Sequence, residues 1–142
     1  MSDVDIVLVK PGSQRQLYGR LSDFELTAIE PPLWGAIMAG YLRSQGYSVV
    51  LYDAEAENWD YGQTAEKIRE LNPLLTAIVV SGTNPSASTM NMVGAAGIAS
   101  VLRELEPSIK TLLMGLHPSA LSERTIKEEP VDFVCQGEGF YP

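Results

Sequence analysis

The sequence predicts an α/β fold, a three-layer Rossmann-like domain built on a five-stranded parallel sheet with helices on both faces. Short apolar runs rich in β-branched residues recur along the chain, and each ends at glycine, proline or a polar residue. Runs of this kind are typical of strands buried on both faces. Segments with helical periodicity separate them, and alternating strands and helices form right-handed crossovers and a parallel sheet.

The five predicted strands give the sheet its order. The flavodoxin-like order 2-1-3-4-5 is the most economical for five such units, and it places a ligand crevice beyond the carboxyl ends of the first and third strands. The strands span Asp5–Val9, Ser48–Tyr52, Thr76–Val80, Thr111–Met114 and Val131–Cys135.

Four helices are predicted between the strands, with Gly46 as a left-handed end to the first and Ser119 as the cap of the last. The first and third are rich in glycine and alanine, which indicates either close contact between helix and sheet or a slot between them. The helices span Leu33–Gln45, Gln63–Leu71, Ser88–Leu105 and Ser119–Lys127.

Composition narrows the function classes. A chain of 142 residues fits one domain, residues 1–142, and its net charge of −8 argues against nucleic acid as a partner. It contains no apolar run long enough for a membrane span and no signal-peptide pattern at its start. One cysteine excludes a disulfide framework and indicates a reducing, cytoplasmic location. We interpret the acidic clusters at 53–60 and 123–129 as solvated surface.

The segment Pro11–Pro32 is far longer than an ordinary loop between a strand and a helix. It contains Arg15, Tyr18, Arg20 and Phe24, a mixture suited to covering a ligand that is partly charged and partly apolar. The segment is therefore either a ligand cover or a mobile or purely structural loop.

The residues after each strand exclude several common ligands of this fold. Lys10-Pro11 and Ser81-Gly82 stand where a receiver domain needs acidic residues, and no GxGxxG or phosphate loop is present. Small neutral residues follow the third and fourth strands instead. Their hydroxyls and helix-terminal amides can bind a neutral or anionic polar group.

Several short segments follow one another in an order that resembles a known family. They are VLVKP at 7–11, PPLWG at 31–35, LRSQG at 42–46, Asp53, SGT at 81–83, GLHP at 115–118 and VDFVCQGEG at 131–139. Together they are similar to the N-terminal cobalamin-binding domain of cobalamin-dependent radical S-adenosylmethionine enzymes. That group includes anaerobic magnesium-protoporphyrin IX monomethyl ester cyclases and methyltransferases.

The resemblance implies a corrin ring across the carboxyl end of the sheet, with its dimethylbenzimidazole tail between the loops after the third and fourth strands. Ser81 and Thr83 would meet the tail, and backbone would approach it closely at Gly115. No catalytic residue and no protein metal ligand are implied. The implied cobalamin-binding residues are Pro11, Leu33, Ser81, Gly82, Thr83, Ser86, Gly115, Leu116, His117, Gly137, Glu138 and Gly139.

This chain departs from the family where many members place a histidine after the first strand to bind cobalt. The chain has one histidine, His117, in another loop. The resemblance therefore implies cobalamin with its base displaced and no protein histidine on cobalt. Leu116 and Phe140 replace a common glycine and glutamate. His117 is either a hydrogen-bonding loop residue or an axial ligand, and Cys135 is either a buried strand residue or a nucleophile.

Catalysis is not expected from this chain alone. Radical S-adenosylmethionine chemistry needs three cysteines on an iron–sulfur cluster, and the chain has one. We expect an N-terminal domain whose parent enzyme, a methyltransferase or oxidative cyclase, carries the cluster and S-adenosylmethionine in a separate domain. Two alternatives stay open: a degenerate docking module without cofactor, in which Leu116 and Met90 would fill the slot, and a binder of another nucleotide-like molecule.

Overall fold

The fold is a five-stranded parallel sheet in the order β2-β1-β3-β4-β5, as predicted. The computed structural model describes residues 4–12, 18–24, 29–82 and 84–140. All four strand pairs are parallel. The strands are β1 (Ile6–Lys10), β2 (Val49–Asp53), β3 (Leu75–Val80), β4 (Lys110–Gly115) and β5 (Phe133–Val134).

Five α-helices and one 3-10 helix are found in the described part of the chain. The 3-10 helix (Gly19–Phe24) lies within the long segment after β1, most of whose other residues fall outside the described ranges. The helices are α1 (Leu33–Ser44), α2 (Tyr61–Leu71), α3 (Pro85–Leu105), α4 (Leu116–Ala120) and α5 (Ser122–Glu128).

Alternation along the strands divides the apolar side chains between two cores. Val7 and Val9 of β1 face one core together with residues of α2 and α3, among them the fully buried Ile68 and Ile98. Leu8, between them, faces the other core with Met38 of α1. The sheet thus separates α1 from α2 and α3, which confirms the prediction of helices on both faces.

The small residues predicted in two helices permit close contact at two positions. A Cβ on Gly35 would lie 2.9 Å from a methyl carbon of Leu51 in β2, and a Cβ on Gly97 would overlap the Tyr61 ring. Gly35 therefore brings α1 close to the sheet, and Gly97 brings α3 close to α2. Close helix contact explains both residues without a slot.

Two helices begin earlier than predicted because polar caps define their starts. Asp60 accepts a hydrogen bond from the Gln63 amide, and the Gln63 side chain accepts one from the Asp60 amide, so α2 starts at Tyr61. Asn84 caps α3, whose first residue is proline. At the end of α1, Gly46 has a positive φ of 93°, as predicted.

The prediction of one last helix capped by Ser119 is wrong. α4 begins directly after Gly115, and α5 follows it after a break at Leu121. The Ser119 hydroxyl caps neither helix and accepts a hydrogen bond of 2.7 Å from the Gly137 amide. Among the described residues, no helix combines the length and the apolar character that crossing a membrane requires.

Candidate functional site

The candidate site lies at the carboxyl edge of the sheet, where β1, β3 and β4 end side by side. The register places Val80, the last residue of β3, opposite Gly115, the last residue of β4. Lys10 ends β1 on the other side of β3. The loops that lead into α3 and α4 therefore meet at one edge of the sheet.

The Val80 carbonyl group joins the two loops. Gly115 has φ 134° and ψ −175°, a combination nearly restricted to glycine. A Cβ there would lie 2.6 Å from the Val80 carbonyl carbon and closer still to its oxygen. The Val80 oxygen also accepts a 2.6 Å hydrogen bond from the buried Ser88 hydroxyl, which accepts one of 3.1 Å from the His117 amide. Contact between the strand ends therefore requires glycine at 115 even without a ligand.

Side chains of α3 hold the loop that follows β3. The Asn91 amide donates a 2.7 Å hydrogen bond to the Ser81 carbonyl oxygen, and the Asn84 side chain accepts one of 3.0 Å from the Ala87 amide. A Cβ on Gly82 would lie 2.5 Å from the Ala87 Cβ. The half-buried Ser81 hydroxyl makes no hydrogen bond within the described part of the chain. This loop is therefore fixed, and its Ser81 hydroxyl can contact a ligand.

His117 is a half-buried hydrogen-bonding residue at the start of α4. Its Nδ1 lies 2.9 Å from the Thr89 hydroxyl oxygen in the first turns of α3. His117 also acts electrostatically on the Glu129 carboxyl. Burial raises the pKa of that carboxyl and the charge of Glu128 raises the pKa further, whereas the charge of His117 lowers it. His117 therefore connects the two loops.

The segment after β5 brings two glycines with positive φ to the same edge. Gly137 has φ 95° and open space around its Cα, whereas Gly139 has φ 82° and a Cβ there would meet the end carbons of Met114 at 3.0 Å and Met38 at 3.2 Å. Phe140 then packs edge-on against Tyr41 of α1, at 5.1 Å between ring centroids. The segment crosses the edge and ends on the face that α1 covers.

Cys135 lies one residue beyond β5 and is half-buried. Its amide donates a 2.8 Å hydrogen bond to the Leu113 carbonyl, and burial raises the pKa of its thiol. A raised pKa lowers the thiolate fraction and therefore the reactivity. These features favour the structural interpretation of Cys135 over a nucleophile.

A buried ion cluster at the end of β1 was missed by sequence reasoning. Lys10 pairs in register with Asp53, its ammonium lies 3.5 Å from that carboxylate, and it also contacts the Glu55 carboxylate and the Glu30 carbonyl oxygen. The side chains of Lys10, Asp53 and Glu55 are 9%, 16% and 13% exposed. The interpretation of the 53–60 acidic cluster as solvated surface is therefore wrong for Asp53 and Glu55.

The other predicted site residues differ in exposure. Pro11 is fully buried at the end of β1, whereas Ser86 and Glu138 are exposed. Leu33 at the start of α1 is 61% exposed. Thr83 lies outside the described residues, as does Arg15 of the long segment.

Leu116 and Met90, the two side chains that would fill an unused slot, are 51% and 40% exposed. The feature expected of a degenerate docking domain is therefore not found. Within residues 4–12, 18–24, 29–82 and 84–140, no cluster of three histidine, cysteine, aspartate or glutamate residues could hold a metal ion.

A solved structure with a similar fold is that of TsrM, a radical S-adenosylmethionine methyltransferase from Kitasatospora setae, with tryptophan substrate and a S-adenosylmethionine analogue bound. The TM-score is 0.61 at 15% identity, and the match covers 86% of this chain and 21% of that chain. At this identity the comparison shows a shared fold.

Curated relatives are similar in sequence over most of this chain. The chain is 32% identical over 117 residues to the anaerobic magnesium-protoporphyrin IX monomethyl ester cyclase of Rubrivivax gelatinosus. This match covers 81% of this chain and 20% of the relative. It is 27% identical over 110 residues to an uncharacterized methyltransferase of Pyrococcus horikoshii, covering 77% of this chain and 22% of the relative. The chain thus spans about a fifth of the length of these relatives.

A family model decides the assignment. The model of the B12 binding domain matches residues 24–142, which include both site loops, the segment after β5 and most of the sheet. The Lys10 cluster and the Ser81 hydroxyl lie at the edge where this fold binds its ligands. The chain belongs to the B12-binding domain family.

Proposed function

We propose that this chain binds cobalamin at the carboxyl end of its sheet, with the cofactor's base displaced from cobalt and no protein histidine in its place. The observation that carries the proposal is the half-buried Ser81 hydroxyl, which has no partner within the described residues and belongs to a loop that other side chains fix. A hydroxyl at this position can bond the nitrogen base or the polar groups of the cofactor tail.

The charge of the two loops supports this ligand. No acidic residue occurs between Ser81 and Ser88 or between Gly115 and Ser119, so nothing there repels the phosphate of the cofactor tail. The acids at the neighbouring strand ends, Asp53 and Glu55, are paired with Lys10. Neutral hydroxyls and backbone amides suit an amide-rich cofactor better than they suit a hydrated magnesium ion.

The end of β1 supports the absence of a protein ligand from that strand. The residues there are Lys10, Pro11 and Gly12, and the Lys10 ammonium is directed to three oxygens. Proline and glycine side chains carry no nitrogen, so none of the three offers a free lone pair to cobalt.

The remaining predicted residues have separate parts in the proposal. Gly82 and Gly115 let backbone approach the tail, Thr83 adds a second hydroxyl, and the 137–139 segment borders another edge of the ring. Exposed apolar side chains at this edge would be covered by the corrin, and burying them would favour binding. The proposed cobalamin-binding residues are Pro11, Leu33, Ser81, Gly82, Thr83, Ser86, Gly115, Leu116, His117, Gly137, Glu138 and Gly139, and among them His117 acts by positioning its segment of the chain rather than by side-chain contact with the cofactor.

The proposal extends to a larger enzyme. The match covers only about a fifth of the length of the relatives, whose names include a cyclase and a methyltransferase. Bound cobalamin supplies a cobalt able to carry a methyl group, whereas this chain supplies orientation and control of axial ligation. A separate radical S-adenosylmethionine domain of the same cytoplasmic protein would hold the iron–sulfur cluster. The 142-residue chain with S-adenosylmethionine is expected to turn over no substrate, and any turnover would contradict this.

Steric substitution at Ser81 tests the binding site. Ser81→Leu places a larger side chain on the half-buried position, so we expect hydroxocobalamin binding, followed by absorbance titration, to weaken by at least tenfold. Ser100→Leu is the matched control, because Ser100 is exposed on α3 but lies far along the helix from the loop after β3. Equal affinity of the Ser81→Leu variant and the unchanged chain, with both folded by circular dichroism, would exclude the tail from this loop.

A further inference from the structure

The two site loops are joined by a side-chain hydrogen bond between residues far apart in sequence. His117 Nδ1 and Thr89 Oγ1 lie 2.9 Å apart, although 28 residues separate them. Thr89 belongs to α3, which fixes the loop after β3, and His117 is the second residue of α4, which begins directly after Gly115. This bond is therefore placed to control the spacing of the loops.

The neighbours of Thr89 determine which atom carries the proton. The Thr89 hydroxyl donates its hydrogen to the Pro85 carbonyl oxygen at 3.1 Å, one helical turn back. A hydroxyl has one hydrogen, so toward His117 it can only accept. Both contacts of the Thr89 hydroxyl are hydrogen bonds at once only if Nδ1 of His117 carries a hydrogen, and in a neutral ring this leaves the lone pair on Nε2.

A second contact fixes the backbone of the same residue. The His117 amide donates a 3.1 Å hydrogen bond to the Ser88 hydroxyl, which bonds the Val80 carbonyl oxygen. Successive residues of α3, Ser88 and Thr89, thus hold the main chain and the side chain of His117. Ser88 is fully buried and Thr89 is exposed, so the Thr89 contact can be changed without disturbing the core.

We propose that His117 is a positioning residue, which through its Nδ1–H···Oγ1 bond to Thr89 holds the loop after β4 against α3 and keeps both loops spaced for the cofactor tail. This inference rests on the proposed cobalamin site for its function and on the hydrogen bonds alone for its structure. The role needs the Nδ1 donor, whereas an axial cobalt ligand in this tautomer would need Nε2.

Four variants separate the two roles. His117→Asn keeps a donor at the Nδ1 position but supplies no atom at the Nε2 position. His117→Gln reaches the Nε2 position but has no donor at the Nδ1 position. Thr89→Val removes the acceptor, and Thr89→Ser restores it. Losing a net hydrogen bond of 0.5–1.5 kcal/mol corresponds to roughly two- to twelvefold weaker binding. We expect this for His117→Gln and Thr89→Val, and near-normal affinity for His117→Asn and Thr89→Ser.

Non-additivity provides a further check. If loss of this hydrogen bond is the reason why both single variants bind cobalamin more weakly, the double variant carrying Thr89→Val and His117→Gln binds cobalamin no more weakly than either single variant. Loss of the bound-cofactor spectrum in His117→Asn but not in Thr89→Val would overturn the positioning role and make His117 a cobalt ligand.

Nuclear magnetic resonance without cofactor tests the inference independently of binding. Long-range 1H–15N spectra of the labelled chain are expected to show a protonated Nδ1 and an unprotonated Nε2 for His117, and Thr89→Val is expected to speed hydrogen exchange at the His117 amide. An Nε2–H tautomer would overturn the inference whatever the affinity for cobalamin. A correct tautomer with no cobalamin binding would leave the inter-loop bond standing and refute the proposed function.

Discussion

Three glycine-to-alanine variants give a graded test of why Gly115 is glycine. At Gly115, alanine would meet both a backbone conformation nearly restricted to glycine, which costs about 1–3 kcal/mol, and overlap with the Val80 carbonyl. Relief of such overlap costs a further ~1–3 kcal/mol. Gly115→Ala is therefore expected to lower the free energy of unfolding by about 2–6 kcal/mol.

Two matched variants separate these causes. Gly137 has a positive φ, but no atom of the described residues lies within 4 Å of an added Cβ, so Gly137→Ala is expected to cost about 1–2 kcal/mol. Gly40 lies exposed within α1 with open space around it, so Gly40→Ala is expected to stabilise the chain by about 0.5–1 kcal/mol. The entropy that alanine removes from the unfolded chain is common to all three and cancels in the comparison.

Urea denaturation, followed by circular dichroism, measures all three variants. Equal losses for Gly115→Ala and Gly137→Ala would refute the overlap with Val80 as the reason for glycine at position 115. The result also decides which site variants are informative. If Gly115→Ala is strongly destabilised, its loss of cobalamin binding reports on folding, and Ser81 is the better position for testing contact.

Three further predictions concern stability. Lys10→Met leaves the Glu55 carboxylate without its buried partner and is expected to cost about 3–5 kcal/mol in urea unfolding; a loss below 1 kcal/mol would show that the cluster is solvated. Thr76→Val removes a buried hydroxyl that has no hydrogen-bond partner in the described part of the chain and is expected to stabilise the protein by about 1 kcal/mol, whereas destabilisation would reveal an unseen partner. Hydrogen bonds from Ser48 favour the ionised form of the Asp5 carboxyl and lower its pKa below the ordinary 3.8. Their contribution to the free energy of unfolding is therefore complete above pH 3.8 and is lost as the pH falls through the lowered pKa. Asp5→Asn should flatten the acid side of the stability curve, and an unchanged acid side would refute this assignment.

The sequence was sufficient for the strands and helices because their signals are local, and the strand order followed from the most economical fold for five such units. A run such as Val7–Val9 can be assigned to a strand from its periodicity and from the residues that end it. The starts of α2 and α3 were placed late because Asp60 and Asn84 were not recognised as caps, although both are residue types that commonly cap helices. Ser119 was assigned a cap role on the same local basis, but its hydroxyl bonds the Gly137 amide, a contact that only the tertiary fold creates.

The site was harder to predict because its determining contacts join distant segments. Lys10 and Asp53 become partners only once β1 and β2 pair in register, so the acidic cluster resembled ordinary surface. Thr89 carried no local signal at all, since its role depends on the packing of α3 beside the start of α4. Gly115 was singled out for close approach of the backbone to the cofactor tail, which stays a prediction; the structure shows a different close neighbour, the Val80 carbonyl.

The most direct test of the account is equilibrium titration of the purified 142-residue chain with hydroxocobalamin and methylcobalamin, followed by ultraviolet–visible absorption. We expect saturable binding of one cofactor per chain. With methylcobalamin, we expect the spectral change that free cofactor shows when acid displaces its base, and this change should persist in His117→Asn. Failure to retain either cofactor at saturating concentration would contradict cobalamin binding, and a base-coordinated spectrum in the bound state would contradict the proposed displacement of the base.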